Sequence, residues 1–482
     1  MSSTTAAAPR RVSSGSLRLS ALSSGAVLFL LDLVASLVIA PFAVWIGIAA
    51  EFITSPREFL LFIPANMLTL YAMGLYRRDA MVALRRAMTR VPLITGIGAI
   101  QACAANLILA ALIHWPTPEP AYWGDAGAQC TLAVLAFSTA ALAARLGFRV
   151  LVRSGVLHRH LLVVGAGARA WDLLFMLGRE GRTLNDHVVF LHDPSFGEVD
   201  PRLRDDPRVR IVQDISILEA ARGADADQIV VAPDERRGMD LRRLLACKKA
   251  GFPVIQYLSF VEKEIRRVDI KRMELGWLLY SEGFQFDLMD RALKRVFDLV
   301  VSALVLTAMS PFLLAAMLAI RLEGPGPVLY RQVRVTRDGA HFPIMKLRTM
   351  RVDAEAGGAV WARNNDDRVT AVGRFLRRSR IDELPQLINI LKGDMSFVGP
   401  RPERPQFVAE LAAEIPLYNE RHTVKAGLTG WAQINYPYGA SVDDARSKLS
   451  YDLYYVKNFS ILFDFVILLQ TLRVVLWPSG VR

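Results

Sequence analysis

The chain of 482 residues is 52% hydrophobic, has a mean hydropathy of +0.28 and carries a net charge of +12. This composition excludes an ordinary soluble enzyme and favours a membrane protein of two to four domains. The excess of arginine predicts an anionic partner: nucleic acid, anionic lipid or a phosphate-bearing substrate. The first predicted element, residues 1–20, is rich in Ser, Ala and Arg and is expected to be an uncleaved, flexible tail.

Four apolar segments follow, and each is about as long as the ~20 residues that a membrane-spanning helix needs. They lie at 22–50, 58–76, 91–113 and 127–151. The tail and the second connection are rich in arginine, whereas the third connection, HWPTPEPAYWGDAG, has no Lys or Arg. By the positive-inside rule, both ends of this module lie in the cytoplasm, as does everything after it. We therefore predict a four-helix transmembrane module over 21–155.

Charged residues and cysteines interrupt these apolar segments. Asp32 lies inside the first segment, and Arg145 lies near the end of the fourth. Charges at such depths can be functional, but a side chain that reaches the interface, or a packed polar contact, is the preferred interpretation here. The cysteines, Cys103, Cys130 and Cys247, show neither a metal-binding nor a disulfide spacing.

Strands and helices alternate from about residue 159, which predicts a parallel sheet and a Rossmann-like domain over 156–285. Gly165, Gly167 and Ala170 match the pattern G-x-G-x-x-A, and Asp193 ends the second strand, where a ribose partner would sit. Tight strand-to-helix turns use glycine for steric reasons alone. We therefore favour a structural role for this turn over cofactor binding.

A further apolar run, at 296–320, is nominally long enough to cross a bilayer. Basic residues flank both of its ends, and the Ser310–Pro311 pair in its middle favours a break or a kink. A re-entrant helix over about 291–321 that enters the cytoplasmic leaflet, bends at Ser310 and Pro311 and returns satisfies both observations. The alternative, a fifth spanning helix with a tolerated proline, would place the basic segment that follows outside the cell.

An arginine-rich segment then precedes a pair of carboxylates, Asp382 and Glu383. Arginine donates paired hydrogen bonds to phosphate oxygens, and a carboxylate can hold Mg²⁺, which also binds phosphates. These residues predict a phosphate site with a metal, and without a recognisable nucleic-acid-binding motif we expect no nucleic acid as partner. Pro385 and Gly393 fit the start and the end of a helix. Asp382 either caps that helix or faces a pocket with Arg377 and Glu383, and we expect the pocket.

The last third of the chain resembles the bacterial sugar transferases, which are monotopic polyprenol-phosphate sugar-1-phosphate transferases. The resemblance covers roughly 290–478 and is carried by KLRTM, DELPQLINILKGDMSFVGPRPE, RHTVKAGLTGWAQINYPYG and KLSYDLYYVKNFSILFDFVILLQT. The preceding modules are similar to those of the larger members, and GWLLYSEGF (276–284) resembles the subset linked to exosortase-type exopolysaccharide loci. The resemblance thus implies a membrane protein of α plus α/β class: the four-helix module, the Rossmann-like domain, and a mainly helical transferase domain over 286–482 with the re-entrant helix.

The function that the resemblance implies is the transfer of a sugar 1-phosphate from a UDP-sugar to undecaprenyl phosphate or another polyprenyl phosphate. The reaction would be the first membrane step of exopolysaccharide or O-antigen biosynthesis, at the cytoplasmic face of the bacterial inner membrane. Asp382 matches the family's nucleophile, which forms a covalent phosphosugar-enzyme and releases UMP, and Glu383 matches a residue that helps to bind Mg²⁺. The larger members also suggest a homodimer.

Further positions of the family pattern map onto this chain. Arg377 matches a phosphate-binding arginine, and Pro400 and Arg401 fall in a loop associated with the nucleotide. Three more residues lie in motifs near the active site: Lys346, Arg348 and Gln433. Ser310 and Pro311 match the break of the re-entrant helix. The chain departs from the family at RSRID before the dyad and at Ala426, where a proline is frequent; both bear on loop geometry.

Two other function classes stay open at this point. The turn at GAGARA permits a NAD-dependent enzyme that modifies nucleotide-sugars, but no catalytic tyrosine–lysine pair is evident in 159–280. A catalytically silent scaffold for polysaccharide assembly is the third class, and the intact dyad argues against it. The C-terminal stretch DLYYVKNFSILFDFVILLQTLRVVLW contains Asp464 and other polar positions, which favours an in-plane amphipathic helix over a spanning one.

Overall fold

The computed structural model describes most of the chain. The described residues are 23–51, 53, 59–113, 121–181, 186–207, 209–235, 239–273, 275–280, 283–284, 287–352, 354, 367–436, 439 and 441–476. The predicted tail over 1–20 and part of the GWLLYSEGF stretch lie outside them. The chain divides into two compact units, one of residues 1–70 and 75–257 and one of residues 71–74 and 258–482.

The first unit begins with the apolar helices. Their bounds are α1 (Ser24–Ala49), α2 (Phe62–Ala72), α3 (Arg78–Val82), α4 (Leu84–Ile113) and α5 (Ala121–Arg153). The helices α1, α4 and α5 contain stretches long and apolar enough to cross a membrane, which confirms an N-terminal membrane module of apolar helices. However, α2 has only 11 residues, about half of what a crossing requires, because Gly74 with φ +74° lies in a turn just after it.

Two buried side-chain pairs link the long helices of this module. Arg145 of α5 donates to Asp32 of α1 at 2.8 Å, and neither side chain is more than 1% exposed. This is the packed polar contact that was the preferred interpretation. Cys103 of α4 and Cys130 of α5 are paired as a disulfide with a Cα separation of 6.8 Å, so the expectation of unpaired cysteines is wrong for these two. The two cysteines are 27 residues apart in sequence and lie on different helices, so their spacing does not predict the pairing.

The second part of this unit is a parallel five-stranded sheet, which confirms the predicted α/β domain. The strands are β1 (Arg159–Val164), β2 (Asp186–Leu191), β3 (Arg210–Val212), β4 (Gln228–Val231) and β5 (Val254–Gln256), in the order β3-β2-β1-β4-β5. This is the Rossmann order. The helices between them are α6 (Ala168–Glu180), α7 (Pro201–Arg204), α8 (Ile217–Gly223) and α9 (Leu241–Lys249). The central strand β1 is almost wholly buried, and its last four residues, Leu161 to Val164, are apolar, as expected of a strand covered on both faces.

The second unit begins within α10 (Tyr257–Ile265), which is followed by α11 (Leu275–Tyr280). The Trp431 indole donates to the Arg266 carbonyl, and the Val268 amide donates to the Ser450 carbonyl. Residues 266–268 are therefore bonded to the C-terminal part of the chain. The predicted domain boundary at 285 stays a prediction.

The longest helix in the described part of the chain is α12 (Leu288–Glu323), with 36 residues and Pro311 in its interior. It is one of the four described helices that are long and apolar enough to cross a membrane. The helix continues without a break through Ser310 and Pro311. The Ser310 hydroxyl donates to the Thr307 carbonyl at 2.8 Å. An internal proline removes one backbone donor and kinks a helix without ending it. Re-entry into one leaflet stays a prediction.

The remainder of this unit is mainly helical, with two small sheets, which confirms the predicted class. Strands β6 (Leu329–Val335) and β7 (His341–Leu347) pair antiparallel, and β8 (Ser396–Val398) pairs parallel with β9 (Gly427–Thr429). The helices are α13 (Ala371–Ser379), α14 (Gln386–Lys392), α15 (Pro405–Glu414), α16 (Trp431–Asn435), α17 (Val442–Lys457) and α18 (Ile461–Leu476). Helices α14, α16, α17 and α18 share a core with β7 and β8 that includes Leu387, Ile390, Phe397, Trp431 and Tyr455.

The last helix, α18, has 16 residues and is not among the candidate spans. Asp464, which was read as part of its polar face, is 0% exposed and accepts a hydrogen bond from the Tyr455 hydroxyl at 2.8 Å. Lys294 of α12 also pairs with Asp464. The carboxylate therefore faces the protein interior, and the in-plane orientation of α18 stays a prediction.

Candidate active site

The carboxylate pair lies between two helices. Arg380, with φ +59°, ends α13 in the left-handed region, and a single 3₁₀ turn, Ile381–Glu383, carries the pair. The next helix, α14, begins after Pro385 and ends at Gly393, whose φ of +95° suits glycine. The predicted helix limits are therefore confirmed.

Asp382 does not cap this helix. Its side chain is 8% exposed, and its Oδ1 atom is buried without a hydrogen-bond partner. A buried oxygen without a hydrogen-bond partner costs folding free energy unless it binds a ligand or an ion. The carboxylate that the sequence offered as either a cap or a nucleophile thus has an uncommitted oxygen.

Glu383 is the centre of a cationic cluster. The Lys346 ammonium on β7 lies 3.2 Å from its Oε1 atom, and the Arg401 guanidinium lies 3.6 Å from the same atom. Arg380 lies 3.9 Å from Oε2. Since β7 and the loop after β8 are distant in sequence from the dyad, the fold brings these charges together.

The two neighbouring carboxyl groups have opposite pKa shifts. Burial and the charge of Glu383 raise the pKa of Asp382, against the opposing effect of Lys346, Arg377 and Arg380. Burial also acts to raise the pKa of Glu383, but Lys346, Arg401 and Arg380 outweigh it, and the pKa is lowered. The site therefore holds one firmly ionised carboxylate beside one that gains a proton more readily. Burial lowers the pKa of the Lys346 ammonium, and Glu383 opposes this.

Two predicted phosphate-site residues have different surroundings. The Arg377 Nε atom, in the last turn of α13, donates to the Thr349 hydroxyl at 2.9 Å, and its charge acts on Asp382. Arg348, in contrast, donates to three carbonyls at the end of α12: Ile320, Gly324 and Pro325. The contacts of Arg348 therefore stabilise the C-terminus of that helix, and none of its described hydrogen bonds reaches the dyad.

The loop after β8 carries Pro400 and Arg401. The Pro400 carbonyl accepts from the Gly427 amide at 2.8 Å, which fixes the loop against β9. A side chain at Gly427 would collide with the backbone of Gly399, so the close approach requires glycine. Gln433 donates to the Leu428 carbonyl at 3.2 Å, and its Oε1 atom is buried without a partner. Gln433 thus lies beside this loop, without a described contact to the dyad.

Several residues that support the site escaped the sequence reasoning. Arg421 and Asp452 form a buried ion pair at 2.8 Å, and Arg334 donates to the Pro402 carbonyl at 3.2 Å. Asn389 of α14 accepts from the Met345 amide at 3.0 Å and so fixes β7 next to Lys346. One signal was present: Asp452 sits between the buried residues Tyr451 and Leu453 in a helix, where a carboxylate requires a buried cation.

The donor set fits a magnesium ion that arrives together with a phosphate. Asp382 supplies an unpartnered buried oxygen, and the Glu383 carboxylate is adjacent to it. Within the described ranges, no group of three or more His, Cys, Asp or Glu residues is placed to hold a metal. Mg²⁺ is usually held by one or two carboxylates, with water and substrate phosphates completing its shell. The dyad therefore suits such an ion, whereas an all-protein cage is not formed by the described residues.

The glycine turn of the Rossmann-like domain has an internal partner. The Asp234 carboxylate accepts from the Ala168 amide at 2.6 Å and from the Arg169 amide at 3.0 Å. These amides open α6, where a dinucleotide would place its pyrophosphate. Asp193 accepts from the amide and the hydroxyl of Ser195. Both positions that suggested a cofactor are thus engaged within the protein.

Comparison with known proteins adds independent information. The family model "Bacterial sugar transferase" matches residues 289–478. A UDP-N-acetylgalactosamine-undecaprenyl-phosphate N-acetylgalactosaminephosphotransferase of Aeromonas hydrophila is 37% identical over 320 residues, 64% of this chain and 71% of that protein. A UDP-glucose:undecaprenyl-phosphate glucose-1-phosphate transferase of Caulobacter vibrioides is 46% identical over 180 residues, 37% of this chain and 67% of that protein. A putative undecaprenyl-phosphate N-acetylgalactosaminyl 1-phosphate transferase of Bacillus subtilis is 51% identical over 130 residues, 27% of this chain and 73% of that protein.

The matched region contains the dyad, its cationic neighbours and the helix α12. The relative from Aeromonas is aligned over more residues than the family model matches, so the similarity extends beyond residues 289–478. The chain belongs to the bacterial sugar transferase family.

Proposed function

We propose that this protein transfers a sugar 1-phosphate from a UDP-sugar to undecaprenyl phosphate, as the first membrane step of exopolysaccharide or O-antigen assembly. The observation that carries the proposal is the buried Asp382 carboxylate with an unpartnered oxygen, beside Glu383 and among Lys346, Arg401 and Arg377. The names of the relatives supply the class of donor and acceptor. They differ in the sugar, so the sugar of this protein is open.

The first half-reaction uses Asp382 as nucleophile. One of its oxygens attacks the sugar-bearing phosphorus of the UDP-sugar, a new P–O bond forms, and the bond from that phosphorus to the bridging oxygen breaks. UMP leaves with the electron pair of the broken bond. Phosphoryl transfer asks a protein mainly to position groups and to neutralise charge, which the surrounding cations do. In this proposal, Arg377 and Arg401 donate hydrogen bonds to phosphate oxygens of the UDP-sugar.

The second half-reaction regenerates the carboxylate. A phosphate oxygen of the polyprenyl phosphate attacks the same phosphorus, and the bond to Asp382 breaks. Two separate steps mean that the soluble nucleotide-sugar and the lipid need not be bound together. The proposed surroundings are the cytoplasmic face of the bacterial inner membrane, where α12 would hold the site at the lipid surface, and the proposed assembly is a homodimer.

Magnesium belongs to the proposal. Asp382 and Glu383 are the residues that would hold it, together with the donor's phosphates. When bound, the ion would neutralise charge on the diphosphate, which otherwise repels an anionic nucleophile. The protein's own part is to keep Glu383 ionised through Lys346 and Arg401.

The test is incubation of purified protein with radiolabelled UDP-sugars and undecaprenyl phosphate, with Asp382→Asn as the variant. Wild type is expected to label the lipid with at least one sugar, and the variant to lose ~10³-fold or more, since a covalent nucleophile is removed. Without lipid, wild type is expected to exchange labelled UMP into UDP-sugar. Full activity of Asp382→Asn would eliminate Asp382 as the nucleophile. Undiminished turnover after complete chelation would eliminate the magnesium role.

The other two function classes gain no support. A NAD-dependent enzyme would need an accessible helix N-terminus at the glycine turn, where Asp234 is bound. A silent scaffold would have no use for a buried carboxylate with an unpartnered oxygen, which only destabilises the fold.

A further inference from the structure

Two arginines, Arg421, which is buried, and Arg334, which is partly buried, hold the backbone of the loop that presents Arg401. Arg421, which is 5% exposed, donates to the Arg401 carbonyl at 3.0 Å. Arg334 of β6 donates to the carbonyl of the next residue, Pro402, at 3.2 Å. The Val335 amide donates to the Glu403 carbonyl at 3.0 Å. Three successive carbonyls, at 401 to 403, are therefore fixed from the interior of the domain.

Arg421 is itself held rigidly. It pairs with Asp452 of α17 at 2.8 Å, and it donates to the Tyr418 hydroxyl at 2.7 Å. Arg334 is held from its other side by Gln332, at 2.7 Å, and by Glu403, at 3.6 Å. Fixed in this way, the planar guanidinium groups have little freedom to rotate.

A stabilising role alone does not account for this arrangement. Burying two charges costs several kcal/mol per ion, and apolar side chains of similar volume often stabilise a fold as well or better. What an ion pair offers instead is a fixed geometry. Here the fixed atom is the Arg401 carbonyl, and the Arg401 side chain extends to within 3.6 Å of Glu383.

We propose that Arg421, together with Asp452 and Tyr418, and Arg334 are positioning residues for the transfer reaction: they fix the backbone at 401–403 so that the Arg401 guanidinium faces Glu383 and the donor's phosphates. The proposal rests on the proposed function for its consequence in catalysis. It assigns no contact with substrate to Arg421, Asp452 or Arg334, which act through Arg401. An error of about 1 Å in such a position can cost on the order of 100-fold in rate.

The experiment is a double-mutant cycle between Asp452→Asn and Arg401→Lys in the full-length protein. Asp452→Asn is expected to lower kcat/KM for the UDP-sugar by about 10- to 100-fold. In the Arg401→Lys background, the same change is expected to have little further effect, because the group that it positions is already lost. Independent, multiplying losses would overturn the proposal, as would wild-type kinetics of Asp452→Asn.

The matched control is Asp186→Asn. It breaks the similarly buried Arg159–Asp186 pair, at 3.0 Å, in the Rossmann-like domain. This variant is expected to keep wild-type kcat/KM. It therefore distinguishes the effect of breaking any buried ion pair from the effect of displacing the loop that carries Arg401. An equal loss of kcat/KM in both variants would count against a positioning role. If Asp452→Asn does not fold, Arg421→Lys carries the same expectation, because it keeps the charge but has a single nitrogen in place of the planar fork whose two nitrogens divide these contacts.

A second readout does not depend on turnover. Hydrogen exchange of the Val335 amide, which donates to the Glu403 carbonyl at 3.0 Å, is expected to be faster in Asp452→Asn than in wild type and in Asp186→Asn. Unchanged exchange there would overturn the positioning role even if the enzyme is active. If wild type transfers no sugar in the labelling test, the proposed function fails, and the positioning of the loop is judged by this exchange alone.

Discussion

The ionised Asp382 carboxylate is expected to destabilise the folded protein at neutral pH. Its pKa is raised above that of an unfolded chain, so ionisation costs folding free energy as the pH rises from about 4 through the raised pKa of about 6. Asp382→Asn is therefore expected to raise the melting temperature of the metal-free protein by a few degrees at pH 7.5 and to change it little at pH 4. Thermal unfolding in the presence of a chelator measures this.

Ionisation of the neighbouring Glu383 has the opposite effect on the stability of the fold. Its lowered pKa means that the ionised group stabilises the fold above the pKa of the unfolded chain, and this is lost as the pH falls through about 2. Glu383→Gln is expected to lower the melting temperature at pH 7.5 under the same conditions. Equal shifts of the same sign in the two variants would contradict this division of roles within the dyad.

The 3₁₀ segment Tyr418–Thr423, which contacts the loop that carries Arg401, contains an acid-sensitive group. Burial and the adjacent Arg421 lower the pKa of His422 to about 4. Because the folded protein keeps this histidine neutral, its contribution to stability is complete above about pH 6.5 and is lost as the pH falls toward 4. His422→Gln is expected to reduce the loss of melting temperature between pH 7.5 and 5.0.

The control for this prediction is His341→Gln, which changes an exposed histidine of β7. It should retain the wild-type loss of melting temperature over the same interval. A His422 variant as acid-sensitive as wild type would show that the acid response of this segment arises elsewhere.

At the scale of the whole molecule, the Rossmann-like domain is expected to bind no dinucleotide, because Asp234 occupies the amides that would hold a pyrophosphate. NAD⁺ and NADP⁺ should therefore leave the melting temperature of the full-length protein unchanged. Asp234→Ala frees both amides, and inorganic pyrophosphate is then expected to raise the melting temperature of that variant alone. A change in the melting temperature of the wild-type protein on addition of NAD⁺ would contradict the prediction. The matched control is Asp193→Ala, which should gain no pyrophosphate binding.

Sequence reasoning succeeded where chemistry is local and failed where partners are distant. The helix limits at Pro385 and Gly393 and the parallel sheet follow from short-range patterns, and the structure confirms both. A strand pattern does not reveal that the Arg348 guanidinium reaches the end of α12, and the predicted substrate role of Arg348 stays a prediction. Arg421 and Asp452 are 31 residues apart, and the partners of the membrane pair, Asp32 and Arg145, are 113 apart. Such pairings depend on packing between helices, which one sequence does not disclose.

The buried pair between Asp32 and Arg145 has a practical consequence for dissecting this protein. Deleting α1 alone would leave the Arg145 guanidinium without its carboxylate at a depth where water does not replace it. Such a truncation would be damaged by an orphaned charge, and its failure to accumulate would be mistaken for a catalytic requirement. A shortened protein is therefore better designed by removing α1 to α5 together, so that both members of the pair leave at once.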